Sequence, residues 1–358
     1  MARDEAKRIL GEVVKGGDPA GDKQATRRVV TVAELCDAYW ADVTSGRLLA
    51  RAGRPKKAST LLSDAGRIER HIKPLLGRAP VAAVTRHDIE RLMHGIAEGK
   101  TAARNKTSKK RGLSNVRGGR GVAARTVSLL GAIMAYALDR GIRPDNPAHR
   151  VRKFAENKRE RRLSDGEYAL LGKALRDAEG AGFWPPAISA IRFLALTGWR
   201  SGEALGLRWA EVDVGRCTAR LGDTKTGASL RPLSLAASGI LRIMPRLNDH
   251  SLVFAAPRGQ GTMSGFRSIW DRIARLGGLP GDITPHVLRH SYASVAADLG
   301  YSEPTIAALV GHKGRSTTSR YVHSADAVLL AAADAVARRI QELMGEAQSA
   351  ELVQLDRA

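Results

Sequence analysis

Two arginines and two histidines stand out as groups able to act on an anionic oxygen ester. Thr197-Gly198-Trp199-Arg200-Ser201-Gly202-Glu203 carries the first arginine, His286-Val287-Leu288-Arg289 the second, and Gly311-His312 follows 23 residues after Arg289 at its histidine. Attack on a phosphodiester gathers negative charge on its equatorial oxygens, so fixed cationic donors must sit where that charge develops. Arg200 and Arg289 can each offer a planar, bidentate fork to such oxygens. Nothing in the chain has the carboxylate clustering that holds two Mg²⁺ ions, which argues against a metal-dependent nuclease or transposase, and no metal or other cofactor is expected. Taken singly, each group is commonplace. Arg200 and Glu203, three residues apart, have the spacing of a surface ion pair on one helix face, and an isolated histidine is more often structural than catalytic.

Taken in order, these segments together with Thr317-Thr318-Ser319-Arg320-Tyr321 resemble the tyrosine recombinase family, the phage-integrase type of site-specific DNA recombinase. The T-G-x-R-x-x-E signature with Leu and Trp downstream is filled at every named position, H-x-x-R and G-H follow, and His312 stands nine residues before Tyr321. The resemblance runs over roughly residues 30–345. It implies that Tyr321 is the nucleophile, forming a bond to a DNA 3′ phosphate and releasing a 5′ hydroxyl. A free tyrosine has a pKa of about 10, so roughly one in a thousand is ionised at pH 7, worth about 4 kcal/mol of barrier. Arg200 and Arg289 would favour the phenolate, and His286 could accept or relay its proton. The family assigns His312 a hydrogen bond to a non-bridging phosphate oxygen, and Lys225 occupies the place of its general-acid lysine on a β-hairpin. Glu203 then orients Arg200. Tyr39, Tyr136, Tyr168, Tyr292 and Tyr301 are the competitors of Tyr321, but none follows Gly311-His312. His290 and His323 fall outside the chemical positions, and Trp199 and Trp209 read as packing residues around the first motif.

These groups need elements to position them, and the chain reads as mainly α with a small β component. Residues 1–28 read as a short helix and a flexible tail, matching only the end of the arm-binding domain that many integrases carry. Residues 29–149 read as an all-helical core DNA-binding domain. Thr31 with Glu34 has capping-box spacing, Ser59 and Thr85 can cap two further helices, Pro74 and Gly77 stop the second, and a fourth runs from Val127 to Gly141. Within it, residues 99–125 hold nine Lys and Arg, five Gly and no Asp or Glu, and read as a basic, Gly-rich loop. Residues 150–163 read as a basic interdomain linker. The catalytic domain, residues 164–345, opens on a Ser164–Glu167 capping box and has a mixed α/β character. Residues 217–221 and 230–233 read as strands flanking the turn that carries Lys225, and Leu252-Val253-Phe254 as a further strand. Leu329, Ala333, Val336, Ile340 and Leu343 place an apolar stripe on a helix after Tyr321, either packed on its own domain or docked onto a neighbouring copy. Residues 346–358 read as a tail.

The 58 Lys and Arg against 36 Asp and Glu leave a net charge of +22 over 358 residues, a field that favours a polyanion. Lys106, Lys109, Lys110, Arg111, Arg117, Arg150, Arg152 and Lys153 are the candidate DNA contacts. Two cysteines are too few for a disulfide framework, no apolar run approaches the ~18 residues of a membrane span, and the charged first residues do not read as a signal peptide. The reading is cytoplasmic and nucleoid-associated. The implied partners are double-stranded DNA attachment sites, a homotetramer on synapsed DNA that is a monomer or weak oligomer when free, and accessory DNA-bending or directionality proteins. The function so implied is integration or excision of a prophage or genomic island. Its alternatives are relaxation of DNA by type IB topoisomerase chemistry and a non-catalytic DNA-binding regulator of the same fold.

Overall fold

The computed structural model of the chain describes residues 29–50, 53–106, 112–155, 161–224, 227–246, 250–311 and 327–346. Contacts divide it into two compact units, Met1–Lys158 and Arg159–Ala358, each with its own core.

In the first unit, α1 (Val32–Thr44) opens on the Thr31–Glu34 capping box, the Glu34 N–H donating to Thr31 Oγ1 at 3.3 Å and the Thr31 N–H to Glu34 Oε2 at 2.8 Å. Caps of this kind are worth about 1 kcal/mol each. The second helix differs from expectation. It begins as α2 (Ala58–Arg67) with Lys57, not Ser59, at the cap, and it runs through a π-turn (Ile68–Ile72) into α3 (Lys73–Leu76), past Pro74. The wide turn explains this: the Lys73 N–H bonds back to Ile68, relaxing the spacing where the proline ring would otherwise meet a preceding carbonyl. Thr85 and Asp88 form the predicted box for α4 (Arg86–Ala97).

The stretch expected to be loop at 99–125 is corrected. It folds as an antiparallel hairpin of β1 (Ala103–Lys106) and β2 (Leu113–Val116), after which α5 starts at Arg120 and runs to Asp139. Backbone pairing satisfies a segment whose side chains cannot form a core. A second correction concerns apolar content, because α5 is long and apolar enough by composition to cross a membrane. Its Val127, Leu130, Ile133, Met134 and Ala137 are buried against Leu35, Ile72 and Ile89 of the unit's core. Val151 joins that core and Phe154 stacks edge-on against His94, so the start of the basic segment lies on the first unit.

The second unit begins with the predicted Ser164–Glu167 box on α6 (Asp165–Gly180). Arg161 donates to both Glu167 oxygens and to Asp282, fixing the entry of the chain. At the centre lies α7 (Pro185–Thr197), buried from Pro186 to Thr197 except at Arg192. Then come α8 (Ser201–Leu205), the antiparallel sheet β3 (Val212–Asp213), β4 (Thr218–Thr224) and β5 (Gly227–Pro232), and α9 (Leu235–Ile243). The helices α10 (Phe266–Leu276), α11 (Pro285–Asp298), α12 (Glu303–Val310) and α13 (Ala327–Leu343) complete it. Residues 252–254 form a single bridge, Leu252 to Arg208, rather than a strand. Leu252, Val253 and Phe254 are all buried, and an apolar run buried on every side carries no alternation to distinguish strand from core loop. The stripe on α13 is settled for the plainer expectation: Ala333, Val336 and Ile340 pack into this unit's own core, and Leu329 is buried.

Candidate active site

The Thr197-Gly198 turn ends α7. Gly198 takes a left-handed conformation, φ 61°, and a Cβ there would lie 2.7 Å from the Tyr292 ring, so only glycine fits. Its carbonyl accepts a hydrogen bond from Arg289 Nη1 at 2.9 Å, and the same nitrogen reaches the Val310 carbonyl at 2.7 Å. Arg289 thus ties α11 to the ends of α7 and α12. It is 4% exposed, and its Nη2 has no hydrogen-bond partner. Burial, and next the like charge of Arg200, push its pKa down to about 10 against the pull of Glu203, which leaves it cationic at neutral pH.

Arg200 stands at the N-terminus of α8 in extended backbone, with its Nη1 donating to Glu203 Oε1 at 2.7 Å. The other Glu203 oxygen lies 3.4 Å from Nη2 of Arg231, a residue with no exposed surface. Arg231 was not among the residues singled out in the sequence. On β5 it pairs with Ala219 of β4, and its Nε donates to Ser229 Oγ at 3.0 Å. The register pairs Arg231 with buried Ala219 and Ser229 with buried Leu221, so the arginine shares their face of the sheet, a placement that no sequence signal on β5 alone gives away. Burial lowers the Arg231 pKa, Glu203 raises it and Arg200 lowers it. Two guanidinium groups contact one carboxylate and a third, Arg289, lies near enough to feel its charge, a surplus of two positive charges in a largely buried setting. An uncompensated surplus of this kind is costly unless an anion completes it.

His286 lies one helical turn before His290 on α11, both exposed, with the rings edge to face at 4.8 Å. Lys225, His312 and Tyr321 lie outside the described residues, as do Lys109, Lys110 and Arg111. Gly311, next to His312, caps α12 in the left-handed region. Of the competing tyrosines, Tyr39, Tyr136, Tyr168 and Tyr292 are buried, and burial raises the pKa of Tyr136, Tyr168 and Tyr292 away from ionisation. Tyr301 is half-buried against the core. Trp199 is buried edge-on to Phe193, and Trp209 packs partly against the same core under Arg246, the packing roles expected of them. Lys106, Arg117, Arg150, Arg152 and Lys153 are all exposed on the first unit. Arg150 sits in a left-handed turn, φ 62°, and Lys153 donates to Ser128 Oγ at 3.0 Å.

Residues 174–328 match the phage integrase family. The chain is 34% identical over 238 residues to a shufflon-specific DNA recombinase of Escherichia coli, a match covering 64% of this chain and 59% of that protein. It is 26% identical over 212 residues to the tyrosine recombinase XerC of Pediococcus pentosaceus, covering 56% and 70%. Among solved structures, a lambda integrase tetramer bound to a Holliday junction superposes with a TM-score of 0.63 at 22% identity, over 88% of each chain. The Tn1549 transposon integrase, in complex with circular intermediate DNA, gives 0.56 at 17% identity, over 83% of this chain and 98% of that one. The fold is shared with both. The order of the arginine motifs and the site they build agree with that match, and residues 174–328 form a domain of the phage integrase family.

Proposed function

We propose that this chain is a site-specific DNA recombinase, an integrase that breaks and rejoins strands through Tyr321 to integrate or excise a prophage or genomic island. The observation that carries the reading is the convergence of Arg200 and Arg289 on one site with a surplus of positive charge and unpartnered guanidinium nitrogen, which suits a phosphodiester gaining charge. In the proposed reaction the Tyr321 oxygen attacks phosphorus and its proton passes to His286 or solvent. The bond from phosphorus to the 5′ oxygen breaks as Lys225 protonates that oxygen. A 5′ hydroxyl from a second strand reverses the step and reseals the backbone, with no ATP, metal or other cofactor required. His312 donates to a non-bridging oxygen, and Glu203 holds Arg200.

The proposed substrate is double-stranded DNA, held partly by Lys106, Lys109, Lys110, Arg111, Arg117, Arg150, Arg152 and Lys153, in the cytoplasm at the nucleoid. The proposed assembly is a homotetramer on two synapsed sites, supported by the likeness to a lambda integrase described as a tetramer on a Holliday junction, with accessory DNA-bending proteins as further partners. The proposed division of labour is DNA binding by residues 29–149, a connection at 150–163 and chemistry at 164–345.

The test is a nicked suicide duplex carrying the cognate site. A protein–DNA adduct that survives denaturation and is lost in Tyr321→Phe supports the reading. Its absence from the unaltered protein overturns it. Strand exchange between two defined sites, rather than relaxation of any supercoiled plasmid, separates a recombinase from a topoisomerase.

A further inference from the structure

Arg231 is the most buried charged group in the second unit's described residues, at 0% exposure, and the reaction sketched above gives it no task. The desolvation of a buried arginine is offset only when the group is fully paired. This one is not: its Nη1 has no partner, its carboxylate contact is long at 3.4 Å, and its Cζ lies 5.7 Å from the Trp199 ring centre. It also lies directly against Gly311, where a Cβ would fall 1.7 Å from Cζ.

The placement relative to Glu203 is informative. The Oε1 of that carboxylate accepts from Arg200 Nη1 at 2.7 Å, while Oε2 is shared between the Arg200 backbone N–H at 3.3 Å and Arg231 Nη2 at 3.4 Å. A carboxylate with one arginine beside it can take both of its N–H groups in a fork. Here the Arg200 backbone N–H and the second guanidinium together occupy the other oxygen, so the Arg200 side chain spends a single nitrogen on Glu203 and keeps its remaining donors for an anion.

We propose that Arg231 is a positioning residue of the strand-cleavage reaction: it divides the Glu203 carboxylate and thereby leaves Arg200 oriented and only half-neutralised toward the scissile phosphate. This rests on the recombinase reading. It assigns Arg231 no contact with DNA, and it accounts for a fully buried cation on a strand face whose cross-strand neighbour is Ala219.

The test compares the full chain with Arg231→Met, Glu203→Gln and the double variant on the suicide duplex, reading adduct amplitude and single-turnover rate constant separately at saturating protein. The rate constant for Arg231→Met should fall about tenfold or more, as misplacement of a transition-state donor implies. Adduct amplitude and duplex affinity should stay within about twofold, the scatter of independent sites. The double variant should be no slower than the slower single, because both changes act on one carboxylate. If Arg231→Met fails to fold, Arg231→Lys keeps the charge without the fork, and it should fold and still cleave about tenfold more slowly. Multiplicative losses in the double variant, an amplitude loss at unchanged rate constant, or full-speed cleavage by a folded Arg231 variant overturns the inference. No adduct from the unaltered protein overturns the recombinase reading and this inference with it.

Discussion

Arg289 Nη1 donates to the Gly198 carbonyl at 2.9 Å, across 91 positions of sequence. That bond brings the H-x-x-R helix to the T-G-x-R turn and leaves Arg289 Nη2 without a partner. Arg289→Ala or Arg200→Ala should cut adduct formation by a factor on the order of a hundred or more, the cost of losing one transition-state donor, with duplex affinity largely kept. Filter binding beside suicide-substrate cleavage checks this. Equal losses in the two assays would place these arginines in ordinary DNA binding.

Gly311→Ala combines two penalties. The backbone there has φ +69°, and the new methyl would collide with the buried Arg231 guanidinium. A left-handed non-glycine residue costs about 1–3 kcal/mol, to which displacing the arginine adds. Urea unfolding should show a lowered midpoint, and cleavage should fall further than stability alone explains. An unchanged midpoint would mean that the guanidinium moves aside freely.

Glu167 is held at a pKa of about 2, first by its hydrogen bonds to Arg161, against an ordinary value near 4.5. A depressed carboxylate stabilises the fold above its unfolded value, and that contribution drains away as pH falls from about 4.5 toward 2. Glu167→Gln should therefore unfold at lower temperature than the unaltered protein at pH 7, with the gap narrowing by pH 3. Thermal melts across that range decide it; a constant gap would assign the loss to the Ser164 cap alone.

Duplex affinity should fall with salt by about 0.9 log units per log unit of salt for each phosphate neutralised. Replacing Arg117, Arg152 and Lys153 together with Ala should lower that slope by about one unit per lost contact without changing preference among sequences. A titration from low to physiological salt measures both. An unaltered slope would remove these three from the DNA-facing surface.

Ile340→Ala should destabilise the protein by about 2–5 kcal/mol, the usual range for emptying a buried aliphatic site. Because α13 packs within its own unit, the effect should be independent of protein concentration. A midpoint that shifts with concentration would restore docking between copies.

The helix starts at Thr31, Thr85 and Ser164 were readable because a cap is a local event, two side chains three residues apart. Arg200, Glu203, His286 and Arg289 were singled out because phosphodiester chemistry calls for particular residue types at particular spacings, and the fold brings Arg200, Glu203 and Arg289 near one another. Pro74 misled because its clash is relieved by a π-turn that depends on hydrogen-bond choices further back along the chain. The hairpin at 103–116 hid within a composition that describes solvation rather than pairing. Arg231 was the largest omission. An arginine in a strand normally signals the solvent face, and only the register against β4, set by tertiary contact, turns it inward.

The surplus charge around Glu203 also bears on how such proteins decay. Folding alone would be served by an apolar side chain at position 231, so on the proposed reading it is the chemistry that retains a cation there. In a relic copy whose target site has been erased, drift toward greater thermal robustness should reach that codon early, while the solvent-facing lysines of the first unit persist as neutral bystanders.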